Sequence, residues 1–235
     1  MQAVSFFDAF DAVRILNLPH RDDRRREMRE ELARVGLADD SRVSFFKASV
    51  GPDAGRFLNK NVHGCFLSHL ALLETAAKAG ERVLALEDDC DFNAAARDYV
   101  LPDRWDIFYG GYEAQDPSDL ADSNIIGAHC MGYSPEAARR LSAYLRSMLE
   151  DPDFAPDAKA ALEPDFDPAI KPPLDGAIVW FRRANPDLVT VFAQIAEQRP
   201  SRSDITSGRL DRLAPGVATV ARRLKRVLMT AFSRS

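Results

Sequence analysis

The sequence has little cysteine and histidine for its length. Only three of its 235 residues are cysteine and four are histidine. The cysteines, Cys65, Cys90 and Cys130, include no Cys-x-x-Cys pair, which argues against a disulfide scaffold or a structural zinc site. Free cysteines are typical of a reducing compartment. We therefore expect a cytoplasmic protein whose fold is held by its hydrophobic core.

Long apolar runs are also missing. No stretch of about 18 apolar residues occurs, so no membrane-spanning helix is predicted. Residues 1–11 are acidic and lack a long apolar stretch, so no secretory signal is expected. The chain is instead 46% hydrophobic and 29% charged. That composition is typical of an ordinary globular domain.

Charge is unevenly distributed along the chain. Residues 209–235 contain seven Lys or Arg and one Asp, a charge of +6, so a total of −5 leaves −11 on residues 1–208. The acidic body argues against nucleic acid as its partner. We therefore divide the chain into one domain, residues 1–208, and a basic tail, residues 209–235.

Apolar residues in the tail recur every three or four positions beside basic ones. This pattern predicts an amphipathic helix. Such a helix would lie on an anionic membrane surface as a peripheral contact. Docking on its own domain, or disorder in solution, is the alternative. The sequence leaves both open.

Strand and helix patterns alternate along the chain, which predicts an α/β fold with helices on the faces of a sheet. Asp22 or Asp23 is expected to cap the first helix, and Ser134 the third. Residues 151–173 are predicted to form a long loop with a short helix. The predicted strands cover residues 12–18, 43–48, 82–86, 105–109, 124–133 and 188–193, and the other helices cover about 64–79, 134–149 and 174–183.

Three carboxylates, Glu87, Asp88 and Asp89, follow the third predicted strand. Ligands bind at the carboxyl ends of strands in open α/β sheets. Adjacent carboxylates repel unless a cation or hydrogen-bond donors compensate. Mg²⁺ typically binds one or two carboxylates together with substrate phosphates. A metal and diphosphate site is one interpretation of the triplet, and a solvated loop that caps the next helix is the other.

A longer pattern surrounds this triplet. Gly64, Cys65, Ser68 and His69 lie on the second predicted helix, with seventeen residues between His69 and the acids. Together with a hydrophobic strand ending in Glu-Asp-Asp, this order and spacing resemble glycosyltransferase family 25. That family includes lipopolysaccharide and lipooligosaccharide biosynthesis enzymes.

Further segments extend the resemblance over about residues 13 to 205. They are Ile15 to Leu18 with Arg21, Asp22 and Arg24; Gly127 to Ser134; Pro173 to Asp175; and Gln198 with Ser203, Asp204 and Ile205. The sequence departs from the family pattern at Asn61-Val62, where many members have Gly-Glu, and at Cys90, where an apolar residue is usual. Neither departure removes a group that the chemistry requires.

The resemblance implies a GT-A-like fold, a mixed sheet flanked by helices in a single domain. It also implies a hexosyltransferase-like enzyme that uses a nucleotide-sugar donor, with UDP as the expected nucleotide. The acceptor would be a hydroxyl of a cell-surface glycan such as lipopolysaccharide, in a lipid-linked form that suits the basic tail. Asp89, with Asp88, would bind Mn²⁺ or Mg²⁺ that bridges the donor phosphates. Asp88 and Glu87 would hold the ribose or orient the metal shell.

The resemblance assigns five further residues to the donor. Asn17, Arg21 and Arg24 would meet the base and phosphates, although the two arginines could equally be a solvated helix start. Ser68 and His69 would point toward the donor pocket or hydrogen-bond the acidic loop. A histidine packed in the core is nearly as good an interpretation of His69.

Asp175 is the candidate general base. An acceptor hydroxyl that attacks the anomeric carbon needs a carboxylate within hydrogen-bond reach, and an inverting single displacement fits one such base. The alternative is that Asp175 only caps the helix after it. Asp204, with Ser203, would close over the diphosphate or cap a terminal turn, and Gln198 is a further donor-binding candidate.

The sequence leaves three other interpretations open. A catalytically inactive nucleotide-binding partner subunit would keep the fold. A metal-dependent phosphoesterase would need more His or Asp ligands at binuclear spacing. The Cys65–His69 pair has the spacing of half a zinc site, but no second pair accompanies it in the sequence.

Overall fold

The computed structural model describes residues 6–162 and 166–199. The predicted tail at 209–235, the boundary at 208, and Ser203 and Asp204 lie outside these residues. The strands are β1 (Ala12–Asn17), β2 (Val43–Lys47), β3 (Val83–Glu87), β4 (Cys90–Phe92), β5 (Ile107–Tyr109), β6 (Glu113–Ala114), β7 (Ile125–Ile126), β8 (Cys130–Tyr133), β9 (Thr190–Phe192) and β10 (Ala196–Gln198). The α-helices are α1 (Asp22–Arg34), α2 (Lys60–Ala79), α3 (Pro135–Glu150) and α4 (Leu174–Ala184), and short 3₁₀ helices cover Phe6–Ala9, Ala94–Arg97 and Ala160–Leu162.

Six of these strands form one mixed sheet in the order β2-β1-β3-β8-β5-β9. β1 pairs in parallel with β2 and β3, and β5 pairs in parallel with β9, whereas β8 runs antiparallel to both β3 and β5. The carboxyl ends of β1, β3, β5 and β9 therefore lie at one edge of the sheet. The amino end of the antiparallel β8 lies at the same edge. The expected α/β class with a mixed sheet flanked by helices is confirmed.

The two faces of this sheet carry separate apolar cores. Val83 and Ala85 of β3 pack in the core formed with α2, α3 and α4. Leu84 and Leu86 pack in the other core, with α1 and the phenylalanines of the first 3₁₀ helix. Consecutive strand residues point to opposite faces. β3 is therefore buried on both faces, and Asp88 and Asp89 follow it directly in the chain.

Several predicted boundaries differ from the observed ones. α2 begins one turn earlier than predicted, because the Asn59 side chain accepts hydrogen bonds from the N–H groups of Asn61 and Val62. Asp22 is the first residue of α1 and not its cap, and the cap residue Arg21 makes no side-chain cap hydrogen bond. The predicted cap by Ser134 is confirmed by its hydrogen bond from the Ala137 N–H.

The strand predicted at 124–133 is two strands, β7 and β8. Gly127 separates them with a φ of 131°, a backbone conformation that favours glycine. β4 and β10 were not predicted, and they pair with each other as an antiparallel ribbon. No helix in the described part of the chain is both long and apolar enough to cross a membrane.

Candidate active site at the acidic turn

The acidic triplet occupies the tight connection between β3 and β4. Glu87 is the last residue of β3, and Asp88 and Asp89 form the turn before Cys90 begins β4. Both aspartates are buried, with 7% and 4% of their surfaces exposed. The interpretation of the triplet as a solvated loop is therefore wrong. Buried carboxylates need compensating partners.

The first set of partners comes from β1 and α1, and we call Asn17, Arg24, Asp88 and Asp89 the arginine cluster. Arg24 Nη1 donates to Asp88 Oδ1 at 2.6 Å and to Asp89 Oδ2 at 3.0 Å. Asn17 Nδ2 donates to Asp88 Oδ2 at 2.8 Å. Both oxygens of Asp88 therefore accept hydrogen bonds from the protein.

Arg24 is itself only 8% exposed, so the interpretation of this residue as a solvated helix start is wrong. Arg24 reaches the acids from the first turn of α1. Asn17, at the end of β1, lies at the sheet edge. The Asn17 side chain also accepts from Arg25 Nε and donates to the Arg21 carbonyl. This local network fixes the amide that holds Asp88.

Asp89 is bound from the other side by the β4–β10 ribbon. Gln198 Nε2 lies 3.4 Å from both carboxylate oxygens of Asp89, and the Arg199 N–H donates to the Asp89 carbonyl at 2.6 Å. Burial and the neighbouring charges of Glu87 and Asp88 raise the pKa of Asp89 to about 7, against the opposing effect of Arg24. Burial and the neighbouring acids thus outweigh the compensation that the described residues give to the Asp89 charge.

Glu87 faces the opposite side of the sheet, toward α2, and we call Cys65, His69 and Glu87 the thiol cluster. His69 Nε2 lies 3.3 Å from Glu87 Oε1, and Cys65 Sγ lies 3.9 Å from the same oxygen. Burial alone would raise the pKa of Glu87, but the hydrogen bond and charge of His69 outweigh it and lower this pKa. Burial and the Glu87 charge raise the pKa of the Cys65 thiol well above its ordinary value.

His69 therefore contacts the acidic triplet, as one of its sequence interpretations predicted. It is also 1% exposed, and its Nδ1 has no hydrogen-bond partner among the residues that the structure describes. His69 is thus packed in the core and contacts the acidic loop, but it is not a fully satisfied core histidine.

Asp175 lies in the first turn of α4, where the cap position belongs to Pro173. The interpretation of Asp175 as an N-cap is therefore wrong. Its Oδ2 accepts a hydrogen bond from the Gly127 N–H at 3.3 Å. Burial and the Glu87 charge raise the pKa of Asp175 to about 6. The carboxylate thus belongs to the same electrostatic neighbourhood as the thiol cluster.

Two predicted donor residues have described side-chain hydrogen bonds to groups other than the acidic triplet. Ser68 Oγ accepts from the Ser49 N–H at 2.8 Å and donates to the Gly64 carbonyl at 2.6 Å, so this hydroxyl ties α2 to the preceding loop. The prediction that Ser68 points toward the donor is not supported by these contacts. Arg21 forms a bidentate pair with Asp23, whose pKa is lowered by it.

Three residues around the site have partners that the sequence did not indicate. Cys65 pairs in the sequence only with His69, and β3 places Glu87 beside both. Arg199 holds Asp89 through its N–H and pairs through its side chain with Asp91 and Glu27. The His129 carbonyl accepts from the Glu87 N–H at 2.9 Å. No local pattern marks Arg199 or His129, since their partners are far away in the sequence.

The acids fit a divalent cation unequally. Asp88 uses both oxygens on Arg24 and Asn17, so it would have to exchange a partner to bind metal directly. Asp89 can still bind a further ligand, because its two hydrogen bonds from Gln198 are long and each carboxylate oxygen can accept more than one hydrogen bond. Its poorly compensated charge also favours a cation. Asp89 is accordingly the better of the two predicted metal ligands.

Comparison with known proteins links the chain to one family. It is 32% identical over 153 residues to a probable inactive glycosyltransferase 25 family member 3 from Rattus norvegicus. It is 31% identical over 186 residues to the inactive glycosyltransferase 25 family member 3 of Homo sapiens. These alignments cover 53% and 63% of this chain but 27% and 31% of the relatives. The resemblance to glycosyltransferase family 25 is thus confirmed, whereas the chain spans under a third of these relatives.

No family model matches the sequence. Among solved structures, the fold is similar to a glycosyltransferase involved in the glycosylation of the major capsid of PBCV-1. That alignment covers 78% of this chain and 82% of the other, with a TM-score of 0.41 and 12% sequence identity.

Proposed function

We propose that the chain is a glycosyltransferase that moves a sugar from a nucleotide-diphosphate donor, in the first place a UDP-sugar, to a hydroxyl of a cell-surface glycan such as lipopolysaccharide. The observation that supports this best is the pair Asp89 and Asp175. Asp89 is buried and Asp175 is half-buried, both carboxylates have pKa values raised toward neutrality, and Glu87 at the sheet edge contributes to both shifts. The sequence relation to family 25 supports the same reaction class.

On the donor side, Asp89 would hold Mn²⁺ or Mg²⁺. When bound, such an ion supplies Lewis-acid stabilisation of the charge that builds on the leaving diphosphate. Arg24 and Asn17 keep Asp88 and Asp89 in place before the donor arrives. Ser203 and Asp204, beyond the described residues, stay predicted to close over the diphosphate, and Gln198 stays a donor-binding candidate.

On the acceptor side, Asp175 would act as general base. The acceptor oxygen forms a bond to the anomeric carbon while the bond from that carbon to the diphosphate oxygen breaks, and the hydroxyl proton passes to Asp175. A general base works best when its pKa lies near the operating pH. One base and one displacement give inversion at the anomeric carbon. We place this activity in the cytoplasm, with residues 209–235 as a peripheral contact to a membrane that carries the acceptor.

A nucleotide-binding partner subunit without transferase activity is the second candidate. Two observations favour it. Arg24 already pairs with both aspartates where a cation would act, and the relatives named above are described as inactive. A phosphoesterase has less support. Among the residues with described positions, the grouping of three potential metal ligands is Cys65, His69 and Glu87, which is not a binuclear carboxylate site.

The test is a thermal-shift panel of UDP, GDP, CMP and their sugars, each with and without Mn²⁺. A ligand that binds only the folded state raises the melting temperature by mass action. We expect one nucleotide to stabilise the wild type only with metal, and Asp89→Ala to lose this effect. Asp91→Ala is the matched control, because Asp91 is a neighbouring carboxylate that pairs with Arg199.

Two results would contradict the proposal. Stabilisation that is equal in Asp89→Ala and wild type would remove the assigned metal role. Metal-dependent nucleotide binding without sugar release, in an assay with lipopolysaccharide acceptors and with water, would instead identify the inactive partner subunit.

A further inference from the structure

The thiol cluster combines three chemically different ligand atoms at one point. Cys65 and His69 are one turn apart on α2 and so share a face of that helix. Glu87 reaches them from the end of β3. The sulfur, the imidazole nitrogen and the carboxylate oxygen all lie within 4.8 Å of one another. The sequence alone indicated only the Cys65–His69 pair, because Glu87 is 18 positions after His69 in the chain.

The spacing of these atoms is close to that of a metal coordination shell. Zinc binds Cys sulfur at about 2.3 Å and His nitrogen or carboxylate oxygen at about 2.0–2.2 Å, so tetrahedral ligands lie roughly 3.3–3.7 Å apart. The His69–Glu87 distance is 3.3 Å and the Cys65–Glu87 distance is 3.9 Å. Side-chain adjustments of about 1 Å or less would complete the shell.

We propose that Cys65, His69 and Glu87 bind a zinc-class divalent cation through three protein ligands and one open coordination position. This site is separate from the predicted Mn²⁺ or Mg²⁺ site at Asp89. Thiolate and imidazole select zinc-like ions, whereas Mg²⁺ and Mn²⁺ prefer oxygen ligands. Three protein ligands with an open fourth position are the arrangement of catalytic rather than structural zinc sites.

Charge around the cluster favours a cation. Glu87 and a Cys65 thiolate would together balance the ion. On binding, the Cys65 proton would be released to solvent and His69 Nε2 would bind without its proton. The Asp175 carboxylate is near enough to interact electrostatically with both Cys65 and Glu87. A divalent ion would therefore relieve repulsion among negative groups on this side of the sheet.

Two members of the cluster are partly exposed to solvent. Cys65 is half-buried, and the Glu87 side chain keeps 21% of its surface exposed. The other thiols, Cys90 and Cys130, are fully buried. Cys65 is accordingly the thiol that a metal in solution would meet first.

The experiment is titration of the full chain, stripped of metal with a chelator, with Co²⁺ as the spectroscopic probe. We expect one equivalent to give the ultraviolet thiolate-to-cobalt absorption and the visible bands of a four-coordinate ion, both lost on addition of Zn²⁺. Cys65→Ser should remove the thiolate absorption, and His69→Ala and Glu87→Gln should each weaken cobalt binding at least tenfold. His63→Ala, on the same helix, is the matched control and should bind like wild type.

A second readout keeps the test valid if Cys65→Ser folds poorly. In the wild type, Zn²⁺ should slow alkylation of Cys65 by iodoacetamide, as followed by peptide mass spectrometry. Absence of a thiolate absorption, its persistence in Cys65→Ser, wild-type binding by both His69→Ala and Glu87→Gln, or unprotected Cys65 would each overturn the proposal. Asp89→Ala should leave the cobalt spectrum unchanged. A loss of nucleotide binding is therefore distinguishable from a loss of this site.

Discussion

At the scale of single residues, the carboxyl of Asp175 has a pKa of about 6 because burial and Glu87 oppose its charge. A general base must be deprotonated, so we expect the transfer rate to rise with pH through about 6 and then level off. Asp175→Asn should lower kcat by about 10²–10⁴-fold, the usual contribution of such a base. The pH profile of sugar transfer by both proteins is the measurement.

The same substitution should stabilise the protein at high pH. A carboxyl whose folded pKa is raised from 3.8 to about 6 contributes stability that is present below the unfolded pKa and is lost as pH rises through the folded one. At pH 8 the melting temperature of Asp175→Asn should therefore exceed that of wild type by a few degrees. Asparagine can still accept the Gly127 hydrogen bond. A lower melting temperature with intact transfer would contradict the assignment.

The positive charge of Arg24 compensates the buried carboxylates of Asp88 and Asp89. Removing one partner of a buried ion pair costs about 3–5 kcal/mol, since the remaining charge is left buried. Arg24→Met should therefore lower the free energy of unfolding by about that amount, as measured by urea denaturation. Because Arg24 lowers the pKa of Asp89, its loss should raise that pKa further. The destabilisation should then be smaller at pH 5, where Asp89 is protonated, than at pH 8.

Arg139→Met is the control for this experiment. Arg139 pairs with Glu136, 63% and 50% of the two side chains are exposed, and such surface pairs contribute about 1 kcal/mol or less. Equal destabilisation by the two substitutions would show that Arg24 does not compensate the buried acids.

At the scale of elements, the close approach of α2 to the preceding loop depends on the glycine that opens the Gly-Cys-x-x-Ser-His motif. A Cβ on Gly64 would lie 2.6 Å from the Gly51 nitrogen and 2.7 Å from the Ser49 carbonyl oxygen. These neighbours are backbone atoms and cannot rotate away. Overpacking of this kind costs about 1–3 kcal/mol. The motif glycine thus has a packing reason as well as a place in the family pattern.

We predict that Gly64→Ala lowers the free energy of unfolding by about 1–3 kcal/mol in urea denaturation. Gly176→Ala in α4 is the matched control, because its Cβ would meet only the side chains of Pro172 and Pro173, the nearer at 3.1 Å. Alanine has the higher helix propensity, so this control should be neutral or slightly stabilising. Equal stability of the two variants would show that the loop yields to the extra methyl group.

At the scale of the whole molecule, the basic tail is the part with an untested role. Deletion of residues 209–235 removes +6 of charge. If the tail is the membrane contact, co-sedimentation with vesicles of anionic phospholipid should fall at least tenfold on deletion, while the nucleotide-induced thermal shift stays unchanged. Vesicles of neutral lipid are the control. Equal sedimentation of both forms would remove the membrane role.

The sequence by itself determined the α/β class, most helices and the position of the acids after a buried strand. These features depend on periodicity and on local hydrogen bonds, such as the Ser134 cap three residues from its partner. The order and spacing of the motif residues also indicated the relation to family 25. The boundaries of elements and the short strands were harder to predict from the sequence. Three-residue strands such as β4 and β10 contain too few residues to show an alternating pattern.

Only the tertiary structure decided how the three adjacent carboxylates divide between two clusters. Strand geometry sends Glu87 toward α2 and Asp88 toward α1, and partners remote in sequence then fix each one: Asn17 is 71 residues from Asp88, and Gln198 is 109 residues from Asp89. Which donors meet a buried charge follows from packing and not from local propensity. For that reason the place of Glu87 in the thiol cluster, the compensation by Arg24 and the contact of Asp175 with Gly127 have no signature in the sequence.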